Sequence, residues 1–162
     1  MTICIIPARG GSKRIKNKNI INFFGKPIIA YTIEAAIKSK LFDEVMVSTD
    51  STKVAKIATK YGATIPFIRP KNISNDYSTD IQVINHFIRF TKQKKNKHNF
   101  LCYLYPINPL LKISTLKKCF NLIKKEDCQR VMTIAKFNYP IQRALFKDNN
   151  KNLVLFNKKY EY

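Results

Sequence analysis

Ile3-Cys4-Ile5-Ile6-Pro7-Ala8-Arg9-Gly10-Gly11-Ser12-Lys13 is the stretch on which the reading of this chain turns. Four successive apolar residues make the continuous run expected of a strand buried on both faces. The run stops at a proline followed closely by paired glycines, so it predicts a core strand that enters a loop. The loop runs on to Asn19 and carries two of the chain's four glycines and five cations, Arg9, Lys13, Arg14, Lys16 and Lys18, with no acidic residue among them. Gly10 and Gly11 permit a tight backbone path that points N–H groups at phosphate oxygens, while Arg9, Lys13 and Lys18 can neutralise several charges of a triphosphate. An ordinary basic turn is the alternative, and it does not account for the missing acidic residues. The spacing matches neither G-x-x-x-x-G-K-[ST] nor G-x-G-x-x-G, which excludes a P-loop ATPase and a nicotinamide dehydrogenase.

Downstream of this loop the same kind of unit recurs. Pro27 opens a helix with an apolar side of Ile28, Ile29, Ile33, Ala36 and Ile37. Val45 to Ser48 is the next strand, and Asp50 or Ser51 caps a helix through Val54, Ala55 and Ala58 that Gly62 ends. For Asp50, capping is favoured over a metal-binding or basic role because no second carboxylate lies near it in sequence. Thr64 to Ile68 is a further extended segment, followed by a polar stretch to Asp80 and a helix with Ile81, Ile84, Asn85 and Ile88 at helical spacing. A strand is expected over Phe100 to Leu104, a helix from Ile113 or Ser114 with Leu116, Phe120 and Ile123 on one side, a strand at Val131 to Ile134 and a short one at Leu153 to Phe156. This alternation predicts an α/β fold with a mostly parallel sheet and crossover helices. Ligands then belong at the carboxyl ends of the strands, at Arg9 to Asn19, Ser48 to Asp50, Arg69 to Asp80 and Tyr105 to Leu111.

The 162 residues bound the remaining classes. At 45% apolar the chain is no disordered segment, and its length suits a single domain over 1–162. The formal charge of +20 rests on 24 lysines and six arginines. They are spread along the chain, which argues against a nucleic-acid partner and for a general attraction of anionic ligands. Cys4, Cys102, Cys119 and Cys128 form no CxxC pair, and only His86 and His98 offer imidazole, so a zinc site is not expected; neither histidine receives a catalytic role. The first residues lack a secretory pattern and no run approaches the roughly 20 apolar residues of a membrane span, so a cytoplasmic protein is expected.

Ile6-Pro7-Ala8-Arg9-Gly10-Gly11-Ser12-Lys13 with Lys18-Asn19, Phe24-Gly25-Lys26-Pro27-Ile28-Ile29-Ala30-Tyr31, Val47-Ser48-Thr49-Asp50 and Tyr61-Gly62-Ala63 resemble, in order, the cytidylyltransferases that make CMP-linked acidic sugars of eight and nine carbons. Arg69-Pro70-Lys71, Ser74-Asn75-Asp76 and Phe137 to Leu145 are most similar to the branch acting on pseudaminic acid. The sialic and legionaminic acid branches are the nearest alternatives. The resemblance implies a Rossmann-like sheet of the nucleotide-diphospho-sugar transferase type. It also implies transfer of CMP from CTP to an acidic nine-carbon sugar with release of pyrophosphate, and Mg²⁺ as cofactor. Residue by residue it implies nucleotide contacts from Arg9, Gly10, Gly11, Ser12, Lys13, Lys18, Asn19, Arg69, Asp80, Tyr105 and Asn108, with Arg9, Lys13 and Lys18 serving catalysis, and sugar contacts from Gln142 and Arg143.

In Tyr105-Pro106-Ile107-Asn108-Pro109, Ile107 and Asn108 replace the Thr followed by Ser or Ala that commonly separates the two prolines in the family, so a hydroxyl that could contact substrate is gone. The family's acidic metal-binding segment and its dimerisation element would follow Tyr162, so this chain is expected to lack the last third of a usual member, and its metal ligands and homodimer are not assigned. A CTP-binding or regulatory domain with little turnover is the alternative function, and an RNA-binding domain a remote one.

Overall fold

The computed structural model describes residues 1–12, 14–93, 99–125, 128–136, 138 and 144–155. They fall into two compact units, Met1–Asp127 and Cys128–Tyr162.

In the first unit β1 (Thr2–Pro7) is the central strand of a three-stranded parallel sheet. It lies between β4 (Glu44–Ser48) and β5 (Phe100–Tyr103). Register runs from Ile3 opposite Glu44 to Pro7 opposite Ser48 on one side, and from Thr2 opposite Phe100 to Ile5 opposite Tyr103 on the other. Alternate side chains of β1 serve two cores, which explains its unbroken apolar sequence. Cys4 and Ile6 pack with Ile29, Ile33 and Ala36 of α1 (Ile28–Ser39) and with Val54 and Ala58 of α2 (Thr52–Lys60). Ile3 and Ile5 pack with Met46 and with Phe87 of α3 (Asp80–Gln93). The fully buried β1 isoleucines contribute roughly 1.5–3 kcal/mol each, enough to make this strand the anchor of the unit. The segment after α2 extends the sheet only by single parallel bridges, Met46 to Thr64 and Thr49 to Ile68, so the expected third extended segment is a loosely paired edge.

Local chemistry sets the ends of the elements. Asn22–Phe23 (β2) and Lys26–Pro27 (β3) form a hairpin whose turn residues, Phe24 and Gly25, both have positive φ. That pattern matches the two-residue turn whose twist suits paired strands. α1 ends at Lys40 in the left-handed region, and Gly62, at φ +91°, stops the chain after α2. Thr79 and Gln82 cap α3 reciprocally, each side chain accepting the other's backbone N–H. The helix lies where the sequence places it, but a different stripe is buried. Val83 and Phe87 face the core, whereas Ile81 is 69% exposed and Asn85 and Ile88 also face outward. Phe87, 1% exposed, clusters with Met46, Ile3 and Ile5. α4 (Ile113–Lys125) buries Leu116, sets Phe120 edge-on to Phe100 and packs against α1.

In the second unit, the expected strand at Val131 to Ile134 does not form. Met132 and Ile134 are 68% and 90% exposed, and the segment pairs with no strand among the described residues. An apolar run specifies a strand only when a partner edge accepts its backbone groups. Leu153–Leu155 (β7) does form, antiparallel to Leu145–Lys147 (β6), a partner the sequence did not disclose. Asp148 organises the connection by accepting the N–H groups of Asn150 and Asn152. Phe156, the expected end of that strand, lies outside the described residues. Among the described residues no helix is long and apolar enough to cross a membrane.

Candidate functional site

The basic loop leaves the carboxyl end of β1 beside the ends of β4 and β5 and walls a cavity of about 250 Å³. Pro7, Arg9, Ser12, Lys18 and Asn19 form one side; Arg69, the polar stretch through Ser78, Asp80, Tyr103 and Tyr105 form the rest. Parallel strands leave their carboxyl ends open in this way because each crossover helix carries the chain away from them.

Several tethers shape the loop. Asn19, only 5% exposed, donates from Nδ2 to the Arg9 carbonyl at 2.8 Å, while its Oδ1 is buried without a protein partner. Gly10 N–H donates to Asp50 Oδ1 at 2.8 Å, and Ser12 N–H turns back to the Gly10 carbonyl at 3.0 Å. Two expectations change here. Ser51, not Asp50, caps α2, its Oγ accepting from Val54 N–H at 3.4 Å. The Asp50 carboxylate instead takes the Gly10 N–H that was expected to face phosphate, because β4 delivers an acceptor beside the loop. Asp50→Ala removes a charge-assisted bond and is expected to lower stability by about 1.5–3 kcal/mol and to weaken nucleotide binding. Asp50→Asn, which keeps the Oδ1 acceptor, is expected to retain most of both, as thermal denaturation and calorimetric titration would show.

Arg9 reaches across the cavity, its Nη1 2.7 Å from Asp76 Oδ1, with both side chains about one-third exposed (35% and 34%). Arg69 is 4% exposed; its N–H donates to the Thr49 carbonyl and its Nε to Ser74 Oγ at 3.0 Å, while Ser74 donates to the Pro70 carbonyl. Burial pushes the Arg69 guanidinium below its ordinary value, and Asp50 pulls the other way. Asp80, at the start of α3, accepts two short hydrogen bonds of 2.6 Å, from Tyr103 to Oδ1 and from Tyr105 to Oδ2. Burial, followed by the bond to Asp80, pushes the Tyr103 phenol well up; for Tyr105 the Asp80 bond itself is the main cause. Both phenols therefore stay protonated donors at neutral pH and fix the carboxylate's position. Thr32, buried on α1, donates to the Pro106 carbonyl at 3.1 Å and holds the exit of β5.

The fold thus brings Arg9, Ser12, Lys18, Asn19, Arg69, Asp80 and Tyr105 around one cavity. Gly10 and Gly11 lie in the loop between two of the lining residues. Asn108 stands in the turn beyond Pro106, outside the lining, where its carbonyl accepts the Leu111 N–H. Lys13, Gln142, Arg143 and His98 lie outside the described residues. Sequence reasoning assigned no role to Asp76, Ser74 or Tyr103. The signals for them were the polar run between Pro70 and Asp80, and the position of Tyr103 at the end of a predicted strand.

Arg9 and Lys18 share the cavity lining with the buried Arg69 and with the Asp80 carboxylate positioned by its two tyrosines, so cations and a fixed acceptor border the same space. A family model described as Cytidylyltransferase matches residues 3–162. Over 158 residues the chain is 41% and 40% identical to the pseudaminic acid cytidylyltransferases of two Campylobacter jejuni subsp. jejuni strains, serotypes O:2 and O:23/36. These alignments cover 98% of this chain and 68% of each relative. Among solved structures, a CMP:2-keto-3-deoxy-manno-octonic acid synthetase complexed with CTP superposes with a TM-score of 0.61 at 21% identity, over 76% of this chain and 48% of that one. This last likeness supports the Rossmann-like, nucleotide-diphospho-sugar transferase fold. With a family model spanning both units and relatives at 41% identity, the chain belongs to the cytidylyltransferase family.

Proposed function

We propose that this protein transfers CMP from CTP to an acidic nonulosonic sugar, pseudaminic acid first among the candidates, and releases pyrophosphate. The observation that carries this reading is the cavity at the strand ends, lined by Arg9, Lys18, Arg69 and Asp80 in a chain of this family. The sugar's anomeric hydroxyl attacks the α-phosphorus while pyrophosphate leaves from the opposite side. Arg9 and Lys18, with Lys13 by resemblance, hold the phosphate chain and stabilise the charge that moves onto the leaving group. Arg69 and Asp80 bind the nucleoside end, with Asp80 kept in place by its two tyrosines. Gln142 and Arg143 are assigned to the sugar by resemblance, since a guanidinium engages a carboxylate in a two-bond fork.

The described residues do not form a magnesium site of their own. They contain no group of three or more His, Cys, Asp or Glu side chains able to hold a metal, both Asp80 oxygens accept phenols, and Asp76 is paired with Arg9. Magnesium fits here as an ion carried by the triphosphate, and the steps assigned to the protein do not run through it. A cytoplasmic location belongs to the same proposal.

The test is incubation of the purified chain with CTP, Mg²⁺ and pseudaminic, legionaminic or sialic acid in turn, with the CMP conjugate identified by mass and pyrophosphate measured. Product from pseudaminic acid at the highest kcat/KM is expected. CTP binding with no product from any of the three would overturn the transferase reading and leave a CTP-binding domain.

A further inference from the structure

We propose that Asp76 is an internal competitor for the phosphate chain: its carboxylate occupies the Arg9 guanidinium until a nucleotide displaces it, so that this residue sets the protein's affinity for triphosphates. The inference rests on the assignment of Arg9 to CTP phosphates. The two side chains meet at 2.7 Å across the cavity that the nucleotide is to fill. A guanidinium fork matches carboxylate and phosphate oxygens equally well, so either anion satisfies Arg9. Both cannot do so together, because a phosphate placed on Arg9 would bring its charge within a few ångströms of the Asp76 carboxylate.

The segment carrying Asp76 is built to yield. It is anchored at one end by Ser74, which accepts from Arg69, and at the other by the reciprocal cap at Thr79 and Gln82. Between these anchors Asn75 folds the turn through its own neighbours, accepting from Tyr77 N–H and Ser78 Oγ, while its N–H donates to Ser78 Oγ. The bonds among Asn75, Tyr77 and Ser78 travel with the turn when it moves, while the 3.2 Å bond from Asn75 Nδ2 to the Asn72 carbonyl ties its start to the residues after Pro70. Tyr77 is 92% exposed, so the tip carries little core packing that would resist displacement. The bound form opens the Arg9–Asp76 pair and leaves both anchors intact.

A binding-competent state present in a fraction of molecules weakens apparent affinity by that fraction. A pair closed in about 80–90% of molecules therefore costs about five- to tenfold in Kd. The full chain, Asp76→Asn, Asp76→Ala and Asp80→Asn should be titrated calorimetrically with CTP, with and without Mg²⁺, and melting temperatures recorded alongside. Both Asp76 variants are expected to bind CTP about five- to tenfold more tightly in each condition, while Asp80→Asn shows no such gain.

Unchanged or weaker binding by both Asp76 variants would overturn the proposal, and weakening confined to Mg²⁺ would make Asp76 a metal ligand instead. Equal tightening by Asp80→Asn would also overturn it, by reducing the effect to general charge removal. Wild type that binds CTP beside unimproved Asp76 variants removes only the competitor. Failure of every protein to bind CTP removes the CTP assignment and the competitor together.

Discussion

Replacing Arg9 with alanine is expected to lower kcat/KM for CTP by about 10²–10³-fold, the loss typical when one positioned donor to developing charge is removed. The melting temperature should move little. Among the described residues, the ion pair that Arg9 loses is the one with Asp76, in which each partner is about one-third exposed, and such pairs contribute about 0–1 kcal/mol. Arg9→Lys separates charge from geometry. Lysine keeps the positive charge but not the planar fork, so activity between the two extremes is expected. Pyrophosphate release under saturating sugar, with thermal denaturation of each variant, makes the measurement. Turnover by Arg9→Ala at the wild-type rate would remove this residue from the mechanism. A large drop in melting temperature would instead assign it a structural role.

The parts of this molecule that were legible in sequence are those where a single local rule acts. The unbroken apolar run of β1 announced a strand buried on both faces, and Gly62 announced the end of α2. The carboxyl-end rule places Arg9, Lys18, Arg69, Asp80 and Tyr105 in neighbouring loops, and in the structure they line one cavity. Features that depend on a partner from a distant segment were not legible. Asp50 and Ser51 were equally good caps by composition. Only the nearness of the β1 loop decides that the carboxylate goes to Gly10 and the hydroxyl to α2. The isoleucines of α3 have the spacing of a core stripe, yet Val83 and Phe87 are buried because of what lies opposite them. Asp76 stood out in sequence only as part of the Ser74-Asn75-Asp76 resemblance and without a role, since nothing within a few positions of it reveals a partner in Arg9. Val131 to Ile134 fails as a strand for the same reason, its local pattern being sound while no described strand pairs with it.

The largest steric prediction concerns Gly10, and it couples the loop to the helix behind it. Gly10 does not have positive φ, so its role is one of space. A Cβ built there would lie 2.7 Å from Ser51 Cβ and 3.2 Å from Ser51 Oγ. Neither of these atoms is the end of a long side chain that can swing aside, and Ser51 is engaged in capping α2. Gly10→Ala must therefore push the loop into the cavity or displace the cap, an overpacking that costs about 1–3 kcal/mol. Because Arg9 is the adjacent residue, a loop shift of about 1 Å displaces the guanidinium from the phosphate position, and a misplacement of that size can lower turnover about 10²-fold.

Two companions make the argument specific. Gly11→Ala, whose Cβ would meet nothing within 4 Å, should leave the melting temperature unchanged. Ser51→Gly removes both clashing atoms and costs only a few tenths of a kcal/mol as a cap, so Gly10→Ala combined with Ser51→Gly should regain most of the lost stability and CTP affinity. If the double variant is as impaired as Gly10→Ala alone, the close approach to Ser51 is not what requires glycine at this position. A Gly10→Ala protein with wild-type melting and turnover would show that the loop accommodates the extra methyl without moving Arg9.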